Sequence, residues 1–205
     1  MKPDWIAPNR TAVIVIDCQV DFGAPDGEMA RRGADMAAPQ AALANAVGLV
    51  DAARAAGVAI VFVRLLTRPG GENKIAREAK ARRHDDEPDL CVEGTRGADF
   101  VGPLPQAGDT IISKTHFSAF ARTGLAEQLR ARGLDTLVLA GLTTECCVAS
   151  SAWDGFEHDF HIFIAQDACA AYDAGLHRHA LEALALSGAT VALTGEFAEN
   201  WKKSI

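Results

Sequence analysis

Two runs in this chain, Thr11–Asp17 (TAVIVID) and Val58–Arg64 (VAIVFVR), are rich in β-branched residues and almost free of polar alternation. A strand with one wet face alternates apolar and polar residues. A strand that does not alternate is covered on both faces, and that arrangement belongs to parallel sheets flanked by helices. A third stretch, Asp135 to Tyr172, has the same grammar in a fuller form. An apolar β run, Thr136 to Ala140, is broken by Gly141. A compact turn, Leu142 to Thr144, leads to a segment of helical character from about Glu145 to His158. A second β run, Phe160 to Ala165, closes the unit. Strand, turn, helix and strand in that order make the repeating unit of a parallel sheet.

The remaining chain fits the pattern. Helices are expected at Ala38–Ala56, stopped by Gly57, at Leu125–Arg132, stopped by Gly133, and at Leu176–Leu186. Lys74–Arg83 reads as a short, basic, exposed helix. Further strands are expected at Thr110–Ser113, followed by Lys114, and at Thr190–Leu193, followed by a short tail. Cys18 to Met36 reads as a long loop, because its glycines and proline argue against regular structure. Thr67 to about Pro105 is charged and Gly/Pro-rich, and a loop of that length points to a lid or an oligomer contact. Strands and helices alternate about six times. The expected fold is an α/β single domain spanning 1–205, a doubly wound (Rossmann-like) six-stranded parallel sheet with helices on both faces.

Charge and cysteine usage narrow the partners. The net charge of -7 and pI near 5.3 argue against nucleic acid or an anionic membrane as the main partner. No apolar run is long enough to span a bilayer, and MKPDWIAPNR lacks the hydrophobic centre of a secretory signal, so a cytoplasmic protein is expected. The five cysteines, Cys18, Cys91, Cys146, Cys147 and Cys169, are odd in number and include no CxxC pair, so they read as reduced thiols and not as a structural zinc site.

In parallel sheets, ligands bind beyond the carboxyl ends of the strands. Asp17, Lys114 and Cys147 all fall at or just past such ends. A carboxylate can take a thiol proton, an ammonium can hold charge in place, and the sulfur can attack a carbonyl carbon. A helix start at Cys147 would favour its thiolate. Backbone N–H groups of Thr143 and Cys147 would face the developing oxyanion. Taken singly, each residue has an ordinary structural reading: an aspartate as a turn cap, a lysine as surface, a cysteine as a small core filler.

Taken together, VIDCQVDF, SKTHFSAFARTGL and LAGLTTECCVASSAWDGF, in this order, resemble the isochorismatase-like cysteine hydrolases, from about Thr11 to Leu193 and most weakly between Thr67 and Pro105. That superfamily includes nicotinamidases, N-carbamoylsarcosine amidase, biuret hydrolase and ureidoacrylate amidohydrolases. The most specific piece is G-x-x-T-x-x-C-V, here Gly141, Thr144, Cys147 and Val148. The resemblance implies catalytic Asp17, Lys114 and Cys147, the last chosen over Cys146 by the valine that follows it. It implies a cis peptide at Leu142–Thr143, and aromatic pocket walls at Phe22 and at Phe117 or Phe120. Leu142, Thr143 and Arg64, at strand ends on the same edge, are further substrate-binding candidates.

Departures from the family pattern sharpen the reading. The loop LLTRPGGEN lacks the Asp-x-His metal motif that nicotinamidases carry there, so no metal and no other cofactor is expected. Isochorismatases that cleave a vinyl ether lack the nucleophilic cysteine, which is present here. The implied activity is hydrolysis of a C–N amide bond in a small ureido or carbamoyl amide through an acyl-enzyme, releasing ammonia or an amine, in a homo-oligomer (dimer or tetramer). The alternatives are a nicotinamide- or maleamate-like amidase, or an idle family member serving as an interaction module. A Rossmann-type nucleotide-binding protein is a third alternative, disfavoured by the lack of GxGxxG after the first strand. Among other residues, His116 either lines the pocket or lies on the surface, His177 and His179 are too close in sequence to share a helix face as a metal clamp, and Trp153 is expected in the core.

Overall fold

The computed structural model describes residues 2–68 and 73–203. The part of the expected 67–105 loop at 69–72 lies outside the described residues. Two short 3-10 turns, Pro3–Ile6 and Pro8–Arg10, lead into β1 (Thr11–Ile16). Then come α1 (Val20–Gly23), α2 (Glu28–Arg31), α3 (Ala37–Ala55), β2 (Ala59–Leu65), α4 (Lys74–Arg82) and β3 (Thr110–Lys114). The second half holds α5 (Leu125–Ala131), β4 (Thr136–Leu142), a π-helical turn (Thr144–Val148), α6 (Ala149–Glu157), β5 (His161–Ala170), α7 (Ala174–Leu186), β6 (Thr190–Ala192) and α8 (Thr194–Lys202).

All six strands run parallel, in the order β3-β2-β1-β4-β5-β6. The chain therefore winds outward from β1 in one direction, then returns to its other side with β4. The crevice between β1 and β4 is the switch point of the sheet, where ligands are received in such folds. β1 is wholly buried, as its uninterrupted apolar run requires. Ile14, Ile16, Val61, Val63 and Leu139 pack under α5, α6 and α7. Val13, Val15, Phe62, Val138 and Ala140 pack under α3 and α8. One apolar layer on each face is what two-sided burial of the strands demands.

Gly141 brings β4 against the end of β1. Its φ is +129°, and a Cβ there would lie 1.9 Å from the Ile16 carbonyl oxygen. Only glycine permits that approach. The register between β4 and β5 also shifts between Leu139 and Gly141.

Three expectations are corrected. The segment Cys18–Met36, read as loop, holds α1 and α2. They are fastened by Asp21, whose carboxylate accepts from Glu28 N at 3.3 Å and from the distant Cys91 N at 2.7 Å. The tail after Leu193 is α8. Glu196 reaches back to the Leu193 N–H at 2.9 Å, capping the first turn. Phe197 and Trp201 are buried, and the Trp201 indole donates to the Ile6 carbonyl at 3.0 Å. Trp201→Ala is expected to cost about 3–5 kcal/mol, as for large aromatic truncations in a core, and to lower Tm in a thermal melt. Unchanged stability would remove α8 from the core. Trp153, expected in the core, is 41% exposed on α6.

Candidate active site

Three elements deliver the three expected residues to one point. Asp17 follows β1 with φ +49°, and its N–H donates to the Val63 carbonyl at 2.9 Å. This extends the β1–β2 ladder by one bond while turning the side chain out of strand geometry. Lys114 ends β3, on the same face as Ile112. Its side chain crosses the end of β2 to reach β1. Cys147 lies in the π-helical turn that follows β4.

The Lys114 ammonium spends its three donors within this group. It donates to Asp17 Oδ2 at 2.7 Å, to the His116 carbonyl at 3.0 Å and to Cys147 Sγ at 3.4 Å. The Asp17 and Lys114 side chains are both 0% exposed. Asp17 Oδ1 is buried with no hydrogen-bond partner among the described residues. A buried carboxylate oxygen without a donor is costly. It is also the one basic atom of the trio left free to receive a proton.

The turn that carries the sulfur is held from three sides. The Thr143 carbonyl accepts from both Cys146 N and Val148 N at 3.1 Å. Thr144 Oγ1 and His177 Nδ1 lie 2.8 Å apart, which ties the turn to α7. Ser151 Oγ donates to the Cys147 carbonyl at 2.7 Å and accepts from Ala119 N at 2.9 Å. The Leu142–Thr143 peptide is cis, in agreement with the resemblance.

Electrostatics correct one expectation. The Cys147 thiol is pushed well above its ordinary value by its hydrogen bond with Cys146, by burial and by the Asp17 charge, with Lys114 opposing. The Cys146 thiol, on the other side of that bond, is lowered. Burial works against the Lys114 ammonium, but Asp17 and Cys147 outweigh it, and the group stays above the ordinary amine range. These surroundings favour the neutral thiol of Cys147. The helix start and the lysine do not suffice to form a standing thiolate in so dry a place.

The other candidates divide. Phe22 is half-buried on α1, and its carbonyl accepts the Tyr172 hydroxyl at 2.8 Å. Leu142 closes β4 with its side chain buried in the core layer under α3, and Thr143 joins that strand to the turn. His116 is half-buried and hands its carbonyl to Lys114. Phe117 is 63% exposed beside it. Phe120 is not a pocket wall. The chain after β3 folds down onto α6, and the Phe120 ring packs on His158 and Phe160 at the opposite end of β5. Arg64 is not brought to the trio either. Strand alternation points it to the face away from Lys114, where Nε donates to Ser113 Oγ at 3.0 Å and the guanidinium lies over Phe100.

Two neighbours went unnoticed in the sequence. Tyr172, the chain's single tyrosine, lies just past the end of β5, so the strand-end rule that picked out Asp17 also applies to it. Burial, Glu145, Cys91 and Cys147 hold its hydroxyl well above the phenol range. Glu145, inside the turn that carries Cys147, accepts from Thr143 Oγ1 at 3.0 Å. Elsewhere, a cavity of about 290 Å³ lined by Trp5, Phe156, Phe160 and His161 opens at the amino ends of β5 and β6. It lacks a buried acid, base and nucleophile in contact, and it lies at the wrong edge of the sheet for a ligand site of this fold. Among the described residues, no group of three or more His, Cys, Asp or Glu side chains is placed to hold a metal ion.

The chain is similar to known proteins in both sequence and fold. The chain is 32% identical over 179 residues to the ureidoacrylate amidohydrolase RutB of Rhizobium rhizogenes, covering 82% of this chain and 73% of that protein. A cysteine hydrolase from Pseudomonas syringae pv. phaseolicola superposes with a TM-score of 0.84 at 26% identity, covering 97% of this chain and 95% of the other. N-carbamoylsarcosine amidase from Thermoplasma acidophilum superposes with a TM-score of 0.70 at 25% identity, covering 90% and 96%. Residues 11–196, from the first residue of β1 into α8, match the Isochorismatase domain, and with that span of agreement the chain belongs to the isochorismatase family.

Proposed function

We propose that this protein hydrolyses the C–N bond of a small ureido or carbamoyl amide, with Cys147 as nucleophile. The observation that carries the reading is the dry contact of Asp17, Lys114 and Cys147, with Asp17 Oδ1 free. The relatives named for ureidoacrylate and N-carbamoylsarcosine support the substrate class.

In this reading Asp17 Oδ1 takes the Cys147 proton as the sulfur bonds to the carbonyl carbon. The N–H groups of Thr143 and Cys147 receive the oxyanion. Collapse breaks the C–N bond, and the proton on Asp17 leaves with the amine. A water then attacks the thioester, giving its proton to Asp17. The acid departs and the thiol recovers a proton. Lys114 holds Asp17 in place throughout and offsets the charge that gathers between carboxylate and sulfur. Phe22, Phe117, Leu142 and Thr143 would line the crevice. The enzyme would act as a homo-oligomer in the cytoplasm, without a resident metal.

The test is ammonia release from a panel of biuret, N-carbamoylglycine and nicotinamide. Ureido compounds are expected to give ammonia well above nicotinamide. No ammonia from any of them would sink the reading. Dialysis against a chelator is expected to leave turnover unchanged, measured by the same assay. A loss restored by zinc would overturn the metal-free mechanism.

A further inference from the structure

Asp17 Oδ1 is one of two buried carboxylate oxygens beside the nucleophile that have no partner among the described residues. The other is Glu145 Oε2. Glu145 Oε1 is used by the Thr143 hydroxyl, so the carboxylate is fixed in direction by the same turn that carries Cys147. The mechanism assigns Asp17 Oδ1 a proton. It assigns Glu145 nothing. A turn residue whose second oxygen is shielded from water and left without a donor is an acceptor waiting for one.

Tyr172 strengthens the pattern. Its hydroxyl proton is committed to the Phe22 carbonyl at 2.8 Å, so its oxygen can only accept. Glu145, Cys91 and Cys147 are all near enough to act on this hydroxyl electrostatically. The cations nearby are already engaged. Lys114 has used all three donors. Arg32, also felt at Tyr172, donates from Nε to Glu28 Oε1 at 3.2 Å and from Nη2 to the Pro88 carbonyl. Glu145 Oε2 and Tyr172 Oη are thus two acceptors in the neighbourhood of Cys147, while Lys114 and the Nε and Nη2 of Arg32 are committed elsewhere and His177, held on Thr144, is the remaining titratable neighbour of Glu145.

We infer that Glu145 is a specificity residue of this site, the acceptor that selects neutral ureides bearing N–H donors remote from the scissile bond over ureido acids bearing a carboxylate there. The inference rests on the ureido-amide reading above and deepens it. A compound such as biuret, in which two amide carbonyls share one nitrogen and each end carries an amino group, presents one amino group to Glu145 Oε2 and Tyr172 Oη when its other carbonyl faces Cys147. A carbamoylated amino acid presents its carboxylate to the same acceptors. Like charge and unmet donors then count against it, which is selection by a repulsive element as well as an attractive one.

The experiment compares biuret and N-carbamoylglycine on wild type and Glu145→Gln. Ammonia release supplies kcat/KM, and calorimetric binding is read on Cys147→Ala with and without Glu145→Gln. Wild type is expected to favour biuret by about tenfold or more. Glu145→Gln is expected to shift that ratio about tenfold towards N-carbamoylglycine, mainly through KM. A ratio that stays put in the variant, or a wild type that prefers N-carbamoylglycine, overturns the inference while ammonia from either compound leaves the reaction reading standing. Ammonia from neither compound counts against the reaction reading. The calorimetry then decides the inference alone: tighter biuret binding that depends on Glu145 upholds it, and binding indifferent to Glu145 overturns it. If Glu145→Gln fails to fold by circular dichroism, Glu145→Asp replaces it, keeping the charge but shortening its reach. A raised KM for biuret upholds the inference, and an unchanged one overturns it.

Discussion

Cys147→Ala is expected to reduce turnover by about 10⁴- to 10⁶-fold, the range seen when a covalent nucleophile is removed. The fold should survive. The sulfur is one atom in a turn whose backbone is held by Thr143, Ser151 and the Thr144–His177 contact, none of which uses it. Ammonia release measures the first effect and circular dichroism the second. Retained activity in a folded variant would move the nucleophile to Cys146, whose lowered pKa makes it the natural rival. Cys146→Ala is therefore the matched control and is expected to keep most of the activity.

The second large effect is on stability. Asp17→Ala leaves the Lys114 ammonium buried without its counter-ion, and Lys114→Ala does the converse. Both side chains are 0% exposed, so water cannot screen what remains. Breaking one side of such a pair costs about 3–5 kcal/mol. Urea unfolding should show that loss in each single variant, together with loss of turnover. Replacing both, as Asp17→Leu with Lys114→Met, is expected to recover much of the stability and none of the activity, because neither charge is then stranded. A single variant as stable as wild type would mean the pair is not dry. The sign with pH is also set. Lys114 is held above the ordinary amine range, so its contribution is present at neutral pH and is lost only in alkali, as pH rises through the raised value.

The central strands were legible because two-sided burial leaves a mark that nothing else leaves: β1 and β2 begin and end within about a residue of their apolar runs. Asp17, Lys114 and Cys147 were legible for a related reason, since strand ends in a parallel sheet share one edge. What escaped depended on distant partners. α1 and α2 look like loop until Asp21 is seen to bind Cys91 N. α8 looks like tail until Trp201 meets Ile6. Phe120 was misplaced because spacing from Lys114 does not tell which way the chain turns after β3, and the Ala119–Ser151 contact turns it down. Arg64 was misplaced by overlooking the period of two, which sets it on the face opposite Lys114. The expectation of a favoured thiolate is opposed by the hydrogen bond with Cys146 and by burial, neither of which the spacing of the motif reveals.

The separation of 97 residues between Asp17 and Lys114, with Cys147 another 33 on, has a consequence for how the protein comes into being. Synthesis from the amino end delivers the carboxylate long before its counter-ion. Until β3 docks on β2 and β4 slots in beside β1, that carboxylate has no reason to leave water. Parallel pairing of this kind is non-local and slow. Ordering of the sheet and assembly of the trio are thus one late event, and a partly made or partly refolded chain lacks the dry contact of Asp17, Lys114 and Cys147 until its sheet is complete.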